Sequence, residues 1–453
     1  MEKEKSFKKI EKAPIQSLSR TFKRFTEINV SSGILVFIFV LIGLISANSF
    51  LLEYYEEIMH IKISFNIGDY FVEETLLHWI NDGLMTIFFF LIGLEIKREV
   101  LIGELNTLKH TLTPLIGAIG GMIIPATIYM LFNPPGTDGA SGWAIPVATD
   151  IAFTLIILSL LGNRVTYRIK VFLTTLAIFD DIGGILIIAL FYSSTINLNY
   201  LFLVIIIFTI LLFLNRIGFR SPTPYLIFGF VMWYCMFQSG VHATLAGILV
   251  AFTIPATVRI DLEQFIEQSE RVISRIRNPG PKEGSIYASR VESAGIRTLE
   301  ICCVDVQAPL KRIEQNLAPW VAFIIVPIFA LANSGVEIPY NFLANISHPV
   351  VLGIVFGLVF GKPIGIILAI TITTKIGIIS PHKSINFKEL IGIGSVAGVG
   401  FTVALFLASL SFSSGELLDY SKIAILLASI LSAVIGFLIL HKVLPKEGLE
   451  SHS

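Results

Sequence analysis

The sequence predicts an all-α polytopic membrane protein of about twelve transmembrane helices, and three observations carry that prediction. Of 453 residues, 54% are hydrophobic and only 15% charged, with a mean hydropathy of +0.79; a soluble fold would have too few charges to cover so much apolar surface. A dozen windows approach the roughly 20 apolar residues that a helix needs to cross the hydrocarbon core. Basic residues then collect on alternate loops, as they do where Lys and Arg are retained on the cytoplasmic side. The 33 basic and 33 acidic residues cancel, which leaves no basic surplus to hold nucleic acid. Cys235, Cys302 and Cys303 make neither a disulfide framework nor a cluster with metal-ligand spacing.

In chain order, the predicted spans lie near 33–52, 78–96, 112–132, 143–162, 169–191, 200–214, 223–237, 240–257, 319–335, 349–372, 390–412 and 422–441. They divide the chain into a basic cytoplasmic segment (1–30), helices one to eight (31–257), a cytoplasmic insertion (258–318), helices nine to twelve (319–444) and a cytoplasmic tail (445–453). The first 30 residues are basic and amphipathic, without the apolar core and small-residue cleavage site of a signal peptide, so the first span is expected to remain as an anchor. With both termini inside, 30 of the 33 basic residues fall on the inner side. Only Lys62 and Lys422 fall outside, and Lys362 lies mid-span. A missed or invented span would reverse every later loop, so this agreement supports an even number.

Two connections carry patterns of their own. Residues Ile61 to Gly68 alternate apolar and polar before a Gly68-Asp69 turn, the pattern of a small extracytoplasmic β-hairpin. A lone hairpin needs a partner to be stable, which makes it a candidate homodimer contact. In the inner stretch 258–318, Asp261 to Arg277 reads as a charged amphipathic helix broken by Asn278-Pro279-Gly280-Pro281, within what is otherwise a solvated linker.

Function is expected where charge enters the apolar windows, since an ionisable group at mid-membrane costs about 2.5–3.5 kcal/mol even on the lower scales. Asp180 and Asp181 stand midway along the fifth span, Asp150 in the fourth and Lys362 near the middle of the tenth. Adjacent carboxylates cannot both ionise cheaply in low dielectric, so Asp180 and Asp181 titrate as one coupled site. Such a site suits competition between protons and a hard cation, Na+ or Li+. Lys362 reads equally as a fixed counter-charge or as a carrier of a proton. Pro146 and Thr149 in the fourth span, and Gly392, Gly394, Gly398 and Gly400 in the eleventh, suggest interrupted helices whose free ends meet at a substrate site. Asp150 then faces converging N-terminal dipoles and Lys362 the C-terminal ends, although glycines serve close packing equally well.

Other signals are weaker. Gly357-x3-Gly361-Lys362-Pro363 mimics a phosphate loop, but the spacing is short and Pro363 replaces Ser or Thr. Ser239-Gly240-Val241-His242 hints at a serine hydrolase without a separate base to activate it. Glu95 to Glu99 reads as local ion pairing at a helix end or as a regulatory gate.

Several long stretches resemble the NhaA family of bacterial sodium/proton antiporters. They run from Phe89 to Glu99, from Gly142 to Phe153, from Ala177 to Asp181, from Ser239 to Gly247 and from Gly361 to Pro363, within similarity covering most of the chain. The resemblance implies twelve helices, with spans three to five and ten to twelve as inverted repeats and the fourth and eleventh as broken, crossing helices. It implies that Asp180 and Asp181 are the ion- and proton-binding pair, with Thr149 and Asp150 beside the crossing and Lys362 as partner of the first Asp. Asp82 falls on the ion route. Glu95, Arg98, Glu99, Lys311 and Glu314 fall in a pH-response cluster, and His242 matches a histidine linked to the pH profile. The outer hairpin matches a dimer contact. The stretch 258–310 is longer than in the best-known members, and Gln315 and Ala318 stand where those have histidines.

The expected function is therefore electrogenic, pH-dependent exchange of Na+ or Li+ for protons across the bacterial inner membrane, by a homodimer needing lipid and monovalent cations but no cofactor. A sodium-coupled solute symporter and an intramembrane aspartyl protease are the competing readings. The protease requires two carboxylates near 3 Å apart sharing a proton, whereas consecutive residues on one helix diverge by about 100°.

Overall fold

Within hydrocarbon every backbone polar group must be satisfied inside the protein, and helices achieve that locally. The fold comes from a computed structural model that describes residues 32–67, 70–103, 108–192, 196–277, 290–338, 346–377, 385–412 and 415–445, and it is mostly helical. Helix α1 (Ser32–Ala47) is followed by α2 (Leu52–Met59) at an angle of 114°. Strands β1 (Lys62–Ile67) and β2 (Tyr70–Thr75) pair antiparallel, with Lys62 opposite Thr75 and Ile67 opposite Tyr70. Next come α3 (Leu76–Leu101) and α4 (Leu108–Phe132), then a 3-10 segment (Ala140–Val147) leading to α5 (Ile151–Leu160), and α6 (Tyr167–Phe191). Helices α7 (Leu198–Ile217), α8 (Pro222–Ser239), α9 (Thr244–Thr253), α10 (Leu262–Arg277) and α11 (Arg290–Asp305) follow. The chain continues through α12 (Pro309–Ser334), α13 (Pro349–Lys375), α14 (Phe387–Ala397), α15 (Phe401–Ser411) and α16 (Glu416–Val443).

Among the described residues eight helices are long and apolar enough to cross a membrane, or ten if each of the bent pairs α1/α2 and α14/α15 counts once. The windows near 223–237 and 240–257 make up the remainder of the expected dozen. Helix α8 is diluted by Pro222, Pro224 and Gln238. Helix α9 has ten residues, roughly 15 Å of rise against a hydrocarbon core of about 30 Å. The Gly68-Asp69 turn, the Asn278 to Pro281 breaker, the basic segment 1–30 and most of the tail lie outside the described residues.

The chain divides into two compact units, one comprising Met1–Phe88, Glu99–Thr195 and Pro319–Ser453, the other Phe89–Arg98 and Ile196–Ala318. In the first, glycines set the approach of helices, most closely between α4 and α13. A Cβ on Gly365 would run into the carbonyl oxygen of Gly120, and one on Gly361 would lie 3.0 Å from the Cα of Pro125. Backbone cannot yield as a side chain can, so Gly365→Val is expected to lower stability by about 3 kcal/mol, the upper end for overpacking. A thermal midpoint of the purified protein equal to that of the wild type would contradict this close contact.

In the second unit the stretch 258–318 is more structured than the linker expected from its charge. The amphipathic helix is present as α10, started by Asp261, whose carboxylate accepts from the Gln264 N–H at 2.8 Å. The unexpected α11 packs on it, with Gly295 set against Ile276 and the Cys302 thiol donating to Gln268 Oε1 at 3.4 Å. Charges interspersed among its sixteen residues hide such a helix from a hydropathy scan, and Ile296, Ile301 and Val304 stay exposed rather than joining one apolar face.

Candidate functional site

All the central site residues belong to the first unit, and two helix interruptions position them. The fourth segment changes from 3-10 to α across Ala148, Thr149 and Asp150, which are not helical. Pro146 favours that change, since its ring removes an N–H. The eleventh is interrupted at Gly398 to Gly400, where α14 and α15 meet with a bend of 48°. Close packing accounts for the glycines there: Gly398 and Gly400 have ordinary right-handed backbone, but a Cβ on Gly398 would lie 2.5 Å from the Leu358 carbonyl oxygen and one on Gly400 3.2 Å from that of Ala148. A Cβ on Gly392 would meet Leu440, and one on Gly394 would lie 2.9 Å from the Cα of Pro363.

Each interruption leaves open N–H groups on one side and open carbonyls on the other. The Asp150 N–H donates to the Val399 carbonyl at 2.7 Å, joining the two breaks directly. One Asp150 carboxylate oxygen caps α5 by accepting from the Phe153 N–H at 3.2 Å. The other accepts from the Thr402 N–H at 3.0 Å and the Thr402 hydroxyl at 2.5 Å. A single buried carboxylate therefore serves the positive ends of two helices, as the dipole argument predicts. The Phe401 N–H donates to Ser429 Oγ at 3.2 Å.

The carbonyl ends are met from the other direction. Lys362 Nζ donates to the Val147 carbonyl at the end of the 3-10 segment and pairs with Asp180 Oδ2 at 2.8 Å, both side chains fully buried. Thr149 Oγ1 lies 2.9 Å from the Ala397 carbonyl, at the end of α14, and 2.7 Å from the same Asp180 Oδ2. A hydroxyl has one proton to donate, so Thr149 satisfies one of these acceptors at a time. The remaining Asp180 oxygen, Oδ1, is buried without a hydrogen-bond partner among the described residues. Asp181, the next residue of α6, is buried at 7% exposure. Together these groups concentrate carboxylate, hydroxyl and carbonyl oxygens, the donor set that hard cations prefer.

Lys362 owes its position to a feature the sequence scan missed, a π-turn at Gly357–Gly361 immediately before it. Such one-turn bulges concentrate at functional positions. Its visible trace was the Gly357-x3-Gly361-Lys362-Pro363 string. Thr402 and Ser429 were also missed as ligating groups, because their partners lie 252 and 28 residues away.

The other expected residues are dispersed. Asp82 lies in the π-turn Trp79–Leu84 of α3 and meets His78 Nε2 at 3.0 Å. In the second unit Arg98 pairs with Glu314 at 3.0 Å, and Lys311 stands one turn earlier on α12. Glu95 lies one turn before Arg98, whereas Glu99 falls in the first unit. Lys97, within the stretch Glu95 to Glu99, donates to the carbonyls of Phe252 at 2.6 Å and Ile254 at 2.5 Å, at the end of α9. His242 follows Gly240, whose φ is +78°. The preceding Ser239 hydroxyl donates to the Met236 carbonyl at 2.7 Å and accepts from the Val241 N–H at 3.3 Å. That hydroxyl closes the end of α8, which removes the serine-hydrolase reading.

Comparison with known proteins adds a second line. Residues 23–440 match the family described as Na+/H+ antiporter 1. The chain is similar to the Na(+)/H(+) antiporter NhaA of Oleidesulfovibrio alaskensis, 42% identical over 431 residues covering 95% of this chain and 96% of the relative. The protein of the same name from Koribacter versatilis is 41% identical over 427 residues, covering 94% and 92%. That from Bacteroides fragilis is 38% identical over 435 residues, covering 94% and 99%.

Proposed function

The chain belongs to the Na+/H+ antiporter 1 family, a family of transporters rather than enzymes, and on that premise we propose how this multi-pass membrane protein carries out sodium/proton exchange. Asp180 and Asp181 alternately hold the cation, Na+ or Li+, or protons, with the Thr149 hydroxyl as a neutral ligand. Asp150 and Lys362 set the field at the two helix breaks, and Asp82 lies on the route of the ion. The observation that carries this reading is the fully buried Asp180–Lys362 pair, tied through Lys362 to the carbonyl end of the 3-10 segment, with the Thr149 hydroxyl within reach of both Asp180 and the carbonyl end of α14. A bound cation and a proton compete for the same oxygens, which couples the two fluxes.

Both termini face the cytoplasm of a bacterium with the protein in its inner membrane, and the twelve spans include two inverted repeats whose fourth and eleventh members cross. Glu95, Arg98, Glu99, Lys311, Glu314 and His242 make transport respond to cytoplasmic pH. The region 258–318 is a cytoplasmic addition between the eight-helix and four-helix parts. The β1/β2 pair, around Ile61 to Gly68, joins two copies in a homodimer. Exchange moves unequal charge and is electrogenic, so voltage contributes about 2.3 kcal/mol for each extra charge per 100 mV.

Everted membrane vesicles test this reading. Adding Na+ or Li+ to vesicles holding a pH gradient is expected to dissipate it, more strongly as the outer solution, which stands for the cytoplasm, is made alkaline. Absence of dissipation by either cation across the pH series would refute it. Na+-dependent solute uptake without opposite proton flux would point to symport instead.

A further inference from the structure

Arg164 lies in the short connection between α5 and α6, the two helices that begin at Asp150 and carry Asp180 and Asp181. Its guanidinium is committed to one target, the end of α16. Nε donates to the Pro445 carbonyl at 3.1 Å, and one terminal nitrogen donates to the carbonyls of Leu444 at 2.7 Å and His441 at 2.5 Å. The last carbonyls of a helix have no partner within it and carry the negative end of its dipole, so a cation there is doubly favoured.

The fourth contact sets a condition. The other terminal nitrogen of Arg164 lies 2.9 Å from His441 Nδ1. A guanidinium only donates and does not lose its charge, so Nδ1 must offer a lone pair and the ring must be neutral, with its proton on Nε2. The ring plane is held by stacking on Phe437, 5.7 Å away at 19°. His441 is exposed, so protons reach it readily. A second proton can enter only at Nδ1, where it sets N–H against N–H and charge against charge.

We propose that Arg164 and His441 form a pH-sensitive clamp that positions the α5–α6 connection against the end of α16, closed while His441 is neutral and opened when it is protonated. Arg164 is a positioning residue and touches no transported ion. Of the elements packed against α16, the segment Pro349–Gly361, α5 and α15 carry no ionisable side chain, and α14 brings Lys388 and Glu389. Lys442 follows His441 on α16, and Arg168 and Lys170 follow Arg164 on α6. On the orientation proposed above the clamp faces the cytoplasm, and only its physiological sense rests on that reading.

Hydrogen-exchange mass spectrometry on the purified full-length protein tests the clamp without relying on transport. Between about pH 8 and pH 5, after correction for intrinsic rates, wild-type amides of 162–168 and 441–444 are expected to exchange about fivefold faster at the acidic end, the effect of roughly one hydrogen bond. His441→Asn places Oδ1 where Nδ1 stood and cannot be protonated, so it keeps the alkaline pattern at both ends. Arg164→Met exchanges fast throughout. The proposal falls if His441→Asn loses protection on acidification as the wild type does, or if Arg164→Met keeps wild-type protection. In everted vesicles His441→Asn is expected to retain several-fold more cation-dependent flux than the wild type at the acidic end, and an unchanged acid fall would count against the clamp. Failure of the proposed exchange would look different: no cation-dependent flux in wild-type vesicles, with the exchange pattern intact.

Discussion

Vesicles carrying Asp181→Asn are expected to show no more Na+-dependent proton flux than vesicles without the protein, a loss of about 100-fold or more. Even groups behind the first ligands of a metal site cost 10–100-fold when removed, and this change removes a charged ligand and an exchangeable proton together. Asparagine has the same shape and still offers a carbonyl oxygen, so the loss is not a matter of volume. Asp181 is buried on α6 beside Asp180, and the change leaves the Asp180–Lys362 pair in place. The purified variant should therefore elute and melt like the wild type. Wild-type flux from Asp181→Asn would remove Asp181 from the transport cycle.

Lys362→Met is expected to fail in a different way, by destabilising the protein. Removing one partner of a buried ion pair costs about 3–5 kcal/mol, because the other charge stays behind without compensation. Here the cost should lie at the upper end. Asp180 and Lys362 are both inaccessible, and the Val147 carbonyl loses its donor in the same step. The double variant Asp180→Asn/Lys362→Met, which removes both charges, should recover most of that loss, since replacing a buried pair by uncharged groups is often neutral. It should not recover transport. Thermal midpoints of the two purified proteins measure the first effect and vesicle flux the second. Equal midpoints for the single and double variants would show that the pair contributes nothing to the stability of the fold.

The charges of the site were legible in sequence because Asp150, Asp180, Asp181 and Lys362 interrupt apolar windows where their cost is high. Adjacency alone is what suggests that Asp180 and Asp181 act as a coupled pair. The helix breaks were half legible: Pro146 and the glycines marked the neighbourhood, but glycine packing and helix interruption leave the same trace, and both occur. What could not be read was who satisfies whom. Thr402 meets Asp150, and Thr149 meets Ala397, across 252 and 248 positions, and nothing local marks either threonine as a partner. The bounds of α9 and the existence of α11 were not legible, for opposite reasons. The first lies in an apolar window longer than itself, and the second spreads too few apolar residues around too many charges. Lys97 and Arg164 count in sequence only among the basic residues of the inner side, and Lys97 also within the Glu95 to Glu99 stretch, whereas both close the carbonyl ends of helices.

The double cap made by Asp150 also bears on how the protein is made. Its partner Thr402 is synthesised 252 residues later. At about 5–20 residues per second, that interval lasts roughly ten to fifty seconds. Through that time the fourth segment has a carboxylate oxygen without its Thr402 donors and free carbonyls with no final partners, and burial in lipid in that state is costly. The insertion machinery, with its water and neighbouring chain, must shelter it until the eleventh segment emerges. Assembly of this membrane protein is thus late at its centre, with the proposed ion site completed only when nearly nine-tenths of the chain has been synthesised.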